Sequence, residues 1–175
     1  MQLSQSEADG PAHLAPLVLE TDSGPDLIPL PEGRKVKAEY QGYQTIEVAV
    51  DSGAAAPVMP ERCVPGHLVR PSDGSSAGVR YLAADGGRIP NLGEVHLDFL
   101  TKEQHRCRIH FQVANVKRPL LAVSTLTRAG NEVSFGQNGG PIVNKKTGRV
   151  TEFIRRGSIY TLEILVAPTG KPLPA

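Results

Sequence analysis

Tryptophan is absent from these 175 residues, aromatic residues make up only 5% of them, and there are two cysteines. So few aromatics leave little to stack on bases, which argues against a single-stranded nucleic-acid platform. Two cysteines cannot form a disulfide framework, so a reducing compartment is expected. No apolar run reaches the length of a membrane-spanning helix. The first residues lack the basic-then-apolar order of a signal peptide. Together these features predict an intracellular, cytoplasmic protein with no membrane partner. Basic residues are missing from residues 1–33, which hold six acids and five prolines. The rest carries all 19 basic residues against 12 acids, a net +7. These cations are scattered and form no stripe, which again disfavours nucleic acid.

Glycine (18) and proline (15) are abundant and favour strands and turns over long helices. Residues 1–33 read as a flexible acidic leader, with a short strand at Leu17–Leu19 inside it. Residues 34–166 read as one β-rich domain, and 167–175 as a loose tail. In Thr45–Val50, Ile46, Val48 and Val50 alternate with Thr45, Glu47 and Ala49, the period of a half-buried strand. Lys35–Tyr40 and Tyr43–Val50 read as two strands of a hairpin joined at Gln41-Gly42. Residues 65–78 are loop-rich. Val79–Ala84 and Arg88–Leu92 form a hairpin around Asp85-Gly86-Gly87, and Val95, Leu97 and Phe99 continue its second arm. Ile109, Phe111 and Val113 mark another strand. Pro119–Val123 is apolar throughout, as expected of a strand buried on both faces. Ser124 can cap a short helix, Thr125–Ala129, ended by Gly130. Strands at 132–135, 141–144, 150–154 and 158–166 follow. The fold class is therefore all-β, a closed barrel or sandwich with one short helix.

The first long alternating strand ends in Asp51-Ser52-Gly53-Ala54. An apolar strand that delivers a carboxylate into a tight turn holds that group rigid and partly out of water, as an active site requires. The plain reading is an Asp capping nearby amides in a turn. A second Asp-Ser-Gly, at Asp22–Gly24, lacks the apolar strand and meets Pro25. Cys63 with His67, and His105, Cys107 and His110, suggest metal ligation. On a strand, however, His105 and Cys107 share one face and His110 the other, so no metal or cofactor is expected.

Four features stand in order: Asp51-Ser52-Gly53-Ala54, the hairpin tip Ala84-Asp85-Gly86-Gly87, the run Leu120-Leu121-Ala122, and the short helix closed by Ala129-Gly130. This order resembles the retropepsins, the aspartic proteases of retroviruses and long-terminal-repeat retrotransposons, over residues 34–166. The resemblance implies a retropepsin-like barrel in which Asp51 is catalytic and Ser52, Gly53 and Ala54 complete its motif. Ala84, Asp85, Gly86 and Gly87 would form a flap over bound peptide, and Leu120, Leu121 and Ala122 would pack behind the active loop. It implies an aspartic endopeptidase acting on a peptide or retroelement polyprotein, with a dyad of Asp51 residues across a homodimer. The family usually has glycine where Ala122 stands. It often has an acid and an arginine at the positions of Ala55 and Val123, and here both are missing together. The alternatives are a catalytically silent barrel of the same ancestry, serving as a binding or dimerisation module, and a generic nucleic-acid- or ligand-binding β-domain. In 158–166, Tyr160, Leu162, Ile164 and Val166 form an apolar face, read as an exposed terminal edge through which two copies pair. The acidic leader, facing a basic body, is expected to lie across the cleft as an inhibitory segment.

Overall fold

The computed structural model describes residues 42–83, 86–169 and 173, and the backbone of 5–6. The strands expected at Leu17–Leu19 and Lys35–Tyr40, the second Asp-Ser-Gly, and Ala84 and Asp85 lie outside the described residues.

Six strands close a barrel. β2 (Gln44–Asp51), β3 (Val58–Met59), β6 (Gly93–Thr101), β7 (Arg106–Val113), β8 (Leu120–Ala122) and β12 (Ile159–Val166) run in the order β2-β8-β3-β7-β6-β12, and β12 returns to β2. Their inward positions are the apolar members of the alternating patterns: Ile46, Val48, Val50, Val95, Leu97, Phe99, Phe111 and Val113 share one core with Leu121, Leu162, Ile164 and Val166. Each such side chain gains about 1.5–3 kcal/mol on leaving water. β9 (Asn131–Val133), β10 (Gly139–Asn144) and β11 (Val150–Arg156) extend the sheet from the N-terminal half of β12. The rings of Phe135, Phe153 and Tyr160 meet edge-on or tilted, with centroids 4.9–5.8 Å apart, and fasten this extension to β12. A separate small sheet holds β1 (Gln5–Ser6), β4 (Arg80–Leu82) and β5 (Arg88–Pro90) in the order β1-β4-β5. Among the described residues, no helix is long and apolar enough to cross a membrane.

Several local expectations change. Among the described residues the expected short helix is α2 (Val123–Arg128), and a second α-helical turn, α1 (Asp73–Ser76), joins it. α1 is a single turn inside the stretch read as loop. Ser72 and Ser75 cap it reciprocally, each side-chain oxygen accepting the other's backbone N–H. Ser124 does not cap α2, because the chain leaves β8 directly into the helix with Ala122 at the cap position. β5 and β6 are not one arm. The chain bends at Asn91, whose Oδ1 accepts the Gly93 N–H at 2.9 Å. Gly93 has φ +134°, and a Cβ there would run into the Arg70 carbonyl oxygen.

β2 is buried on both faces rather than half-buried. The face bearing Glu47, which is 3% exposed, is covered by Arg156 of β11, whose Nη2 lies 2.9 Å from Glu47 Oε1. That contact is an ion pair without hydrogen-bond alignment. Burial pushes the Glu47 carboxyl up; Arg156 pulls it back in part, and Glu163, opposite on β12, pushes it up further. β12 is no exposed edge. It pairs with β2 along one side and with β11 and then β6 along the other, and Leu162, Ile164 and Val166 face the core. The tail starts tied down: Ala167 N–H donates to Asp98 O at 3.1 Å, and Thr169 Oγ1 donates to Gly66 O at 3.1 Å.

Candidate active site

β2 ends at Asp51, where the barrel wall opens into a loop. Asp51 Oδ1 accepts the Gly53 N–H at 2.7 Å, and the nearby Ala54 amide also favours the charged carboxylate. The carboxyl is half-buried. Burial raises its pKa above the usual carboxylate value, and the Gly53 and Ala54 amides offset part of that rise. Ser52 and Ala55 are exposed, while Ala54 is buried.

β8 lies between the two strands that flank this loop. It runs parallel to β2, with Val50 opposite Leu121 and Asp51 opposite Ala122, and antiparallel to β3, with Leu120 opposite Val58. All three β8 residues are buried, as the unbroken apolar run predicts. The loop is thus held from both sides by one strand contributed from far along the chain. Ala49 N–H donates to Pro119 O at 2.9 Å, and Ser124 Oγ donates to Ala54 O at 3.4 Å. Ala122 has φ −74° and ψ 123°, ordinary extended backbone. Its methyl group is fully buried among Ala49, Ala54, Val58 and Leu120, so alanine fits this position without strain.

The β4–β5 hairpin reaches the same apolar cluster through Tyr81, fully buried, and Ile89. Ala83 N–H donates to Gly87 O at 2.8 Å, and Gly86 N–H donates to Ala83 O at 3.0 Å. Gly86 has φ +87°, the left-handed conformation that a three-residue hairpin loop needs at this position. No atom lies within 4 Å of where its Cβ would be, so Gly86 faces open space. Ala54, Leu120 and Ala122 thus share one buried cluster with Tyr81 and Ile89 of the hairpin, and Asp51 stands opposite Ala122 in register.

Sequence reasoning missed three supports of this arrangement. Asn91, buried at the foot of the hairpin, donates through Nδ2 to Gln112 Oε1 at 2.9 Å and to Tyr81 Oη at 3.5 Å. The signal was Pro90-Asn91-Leu92-Gly93, a turn signature interrupting an alternating pattern. Ser124 does not cap the helix; its hydroxyl donates to Ala54 O in the Asp51 loop. Arg62 donates to the Val116 carbonyl at 2.8 Å and to the Lys117 carbonyl, fixing the approach to β8.

The Cys and His residues disperse. Cys63 is buried, and Cys107 packs against the barrel core. His67 Nε2 lies 3.1 Å from Ala167 O, His105 Nδ1 lies 2.9 Å from Thr151 Oγ1, and the His110 ring stacks on His96 at 3.6 Å. Among the described residues no three side chains gather as a metal site. No protein-family model, curated protein or solved structure matches this chain.

Proposed function

We propose that this chain is an aspartic endopeptidase of the retropepsin type, working as a homodimer on a peptide or retroelement polyprotein. The observation that carries the reading is the setting of Asp51: a half-buried carboxylate at a strand end, held by backbone amides, with Ala122 in register beside it. Peptide hydrolysis by this route needs two carboxylates sharing one proton. One takes a proton from water as it attacks the scissile carbonyl, and the protonated partner polarises the carbonyl oxygen. Burial that raises the Asp51 pKa favours retention of that shared proton. Among the described residues one Asp stands in this setting, so the second comes from another copy related by a two-fold axis. The exposed Ser52 and Ala55 put the loop within reach of such a partner. The free thiols of Cys63 and Cys107 suit a reducing, cytoplasmic location.

The test is cleavage of a peptide library across a dilution series. Pepstatin should block cleavage, and specific activity should fall once the protein is diluted below its dimer constant. An active monomer at every concentration, or activity resistant to pepstatin but lost to a chelator, would overturn the reading. A stable dimer without cleavage would favour the silent binding module.

On this reading the β4–β5 hairpin is the flap, and Gly86→Val tests it. Valine at φ +87° meets no steric obstacle from neighbours but carries about 1–2 kcal/mol of backbone strain. Where that strain opposes closure over peptide, turnover falls by about tenfold, while the melting temperature of the barrel barely moves. Unchanged kinetics would mean that the hairpin is not a lid.

A further inference from the structure

β1 is the described piece of the N-terminal segment, and it pairs antiparallel with β4, Gln5 opposite Tyr81 and Ser6 opposite Arg80. The hairpin fixes which way the β4 backbone faces. Ala83 N–H donates across to Gly87 O, and Val79 O accepts the Asn91 N–H, so residues 79, 81 and 83 bond toward β5. Pro90, which has no N–H to give, falls opposite Arg80 at a non-bonded position. By alternation, the N–H and C=O of Arg80 and Leu82 face the opposite edge, where β1 lies. A two-stranded ribbon is marginal alone, and an unpaired ribbon edge would accept any extended chain.

We propose that the outer edge of β4 is a strand-acceptor site, and that residues 5–6 of the same chain fill it in cis and restrain the flap until they detach. The proposal rests on reading the β4–β5 hairpin as a flap. A third strand stiffens the ribbon and ties its base to the N-terminal segment, opposing the bending that closure over a peptide requires. A two-residue ladder is short enough to detach. The charge balance supports the docking: residues 1–33 hold six acids and no Lys or Arg, against a body of net +7.

The pairing separates two single substitutions. Ser6 stands opposite Arg80 at a hydrogen-bonded position, so Ser6→Pro removes a ladder donor. The Gln5 N–H faces away from β4, where proline is tolerated on an edge strand. In the full chain, Ser6→Pro should speed amide hydrogen exchange at Arg80 and Leu82 by about tenfold or more. Tyr81, bonded toward β5, should be less affected, and pepstatin-sensitive peptide turnover should rise. Gln5→Pro should match the parent in both. Unchanged exchange at Arg80 and Leu82, or equal effects of the two prolines, would overturn the acceptor site. Faster exchange with turnover at the parent rate would overturn the restraint. Faster exchange in a protein that cleaves no peptide, parent included, would uphold the acceptor site and reject the peptidase reading.

Discussion

On the proposed peptidase reading, Asp51→Asn should leave a folded protein that no longer hydrolyses peptides, a loss of about 10⁴-fold in kcat. An amide can neither take a proton from water nor share one with a partner carboxylate. The fold is spared, because the amide oxygen can still accept the Gly53 N–H that the carboxylate holds at 2.7 Å. Proton linkage gives the direction of the stability change. Burial raises the Asp51 pKa in the folded state, so between the ordinary and the raised value the folded chain binds more protons than the unfolded one. Its stability contribution is therefore full below the ordinary carboxylate range and is lost as pH rises through the raised pKa. Asparagine does not titrate, so the variant should be at least as stable as the parent at neutral pH, with the difference closing below about pH 4. Activity of the parent should fall over the same rise in pH, as the dyad loses its shared proton. Melting curves at both pH values and a pH–rate profile test this. Full turnover by Asp51→Asn, or a variant much less stable than the parent at neutral pH only, would remove Asp51 from the mechanism.

How much of this was legible depended on whether the signal was local. The alternation of Val95, Leu97 and Phe99, and of Ile109, Phe111 and Val113, survives as β6 and β7 because each strand's inward face is the barrel core. The unbroken Leu120-Leu121-Ala122 run correctly marks a strand covered on both faces, since Leu121 packs in the main core while Leu120 and Ala122 pack in the second cluster. The order of Asp51 before this run was readable; the register that sets Asp51 opposite Ala122 was not, because no local pattern names a strand's partner. Burial of Glu47 was likewise invisible, since its cover, Arg156, arrives from the end of β11. The single turn of α1 is too short for a helical period, although its Ser72–Ser75 capping pair was in plain view. Asn91 was passed over because a buried side-chain amide leaves no periodic trace; only the turn residues around it do.

Ile164→Ala costs about 2–5 kcal/mol of folding stability, and the cost is the same at every protein concentration. The pattern of the last strand admits two placements for its apolar face. If that face pointed outward it would be a dimer edge, and trimming it would weaken association while sparing the monomer. In the structure Ile164 is 1% exposed, packs in the main core, and stands between Ile46 of β2 and Thr101 of β6. Both edges of β12 are spent on neighbours in the same chain, so no ladder remains for a second copy along that strand. Removing residues 158–175 would therefore delete a stave that closes the barrel and unfold the protein rather than leave an inactive monomer. A homodimer that joins two Asp51 carboxylates must use another surface, and the exposed Ser52 and Ala55 place it at the loop end of the barrel. Chemical denaturation of parent and Ile164→Ala at two widely separated concentrations should give the same difference in stability, with the dimer constant from sedimentation unchanged. A variant that unfolds like the parent but sediments as a monomer would return β12 to the interface and reject this placement.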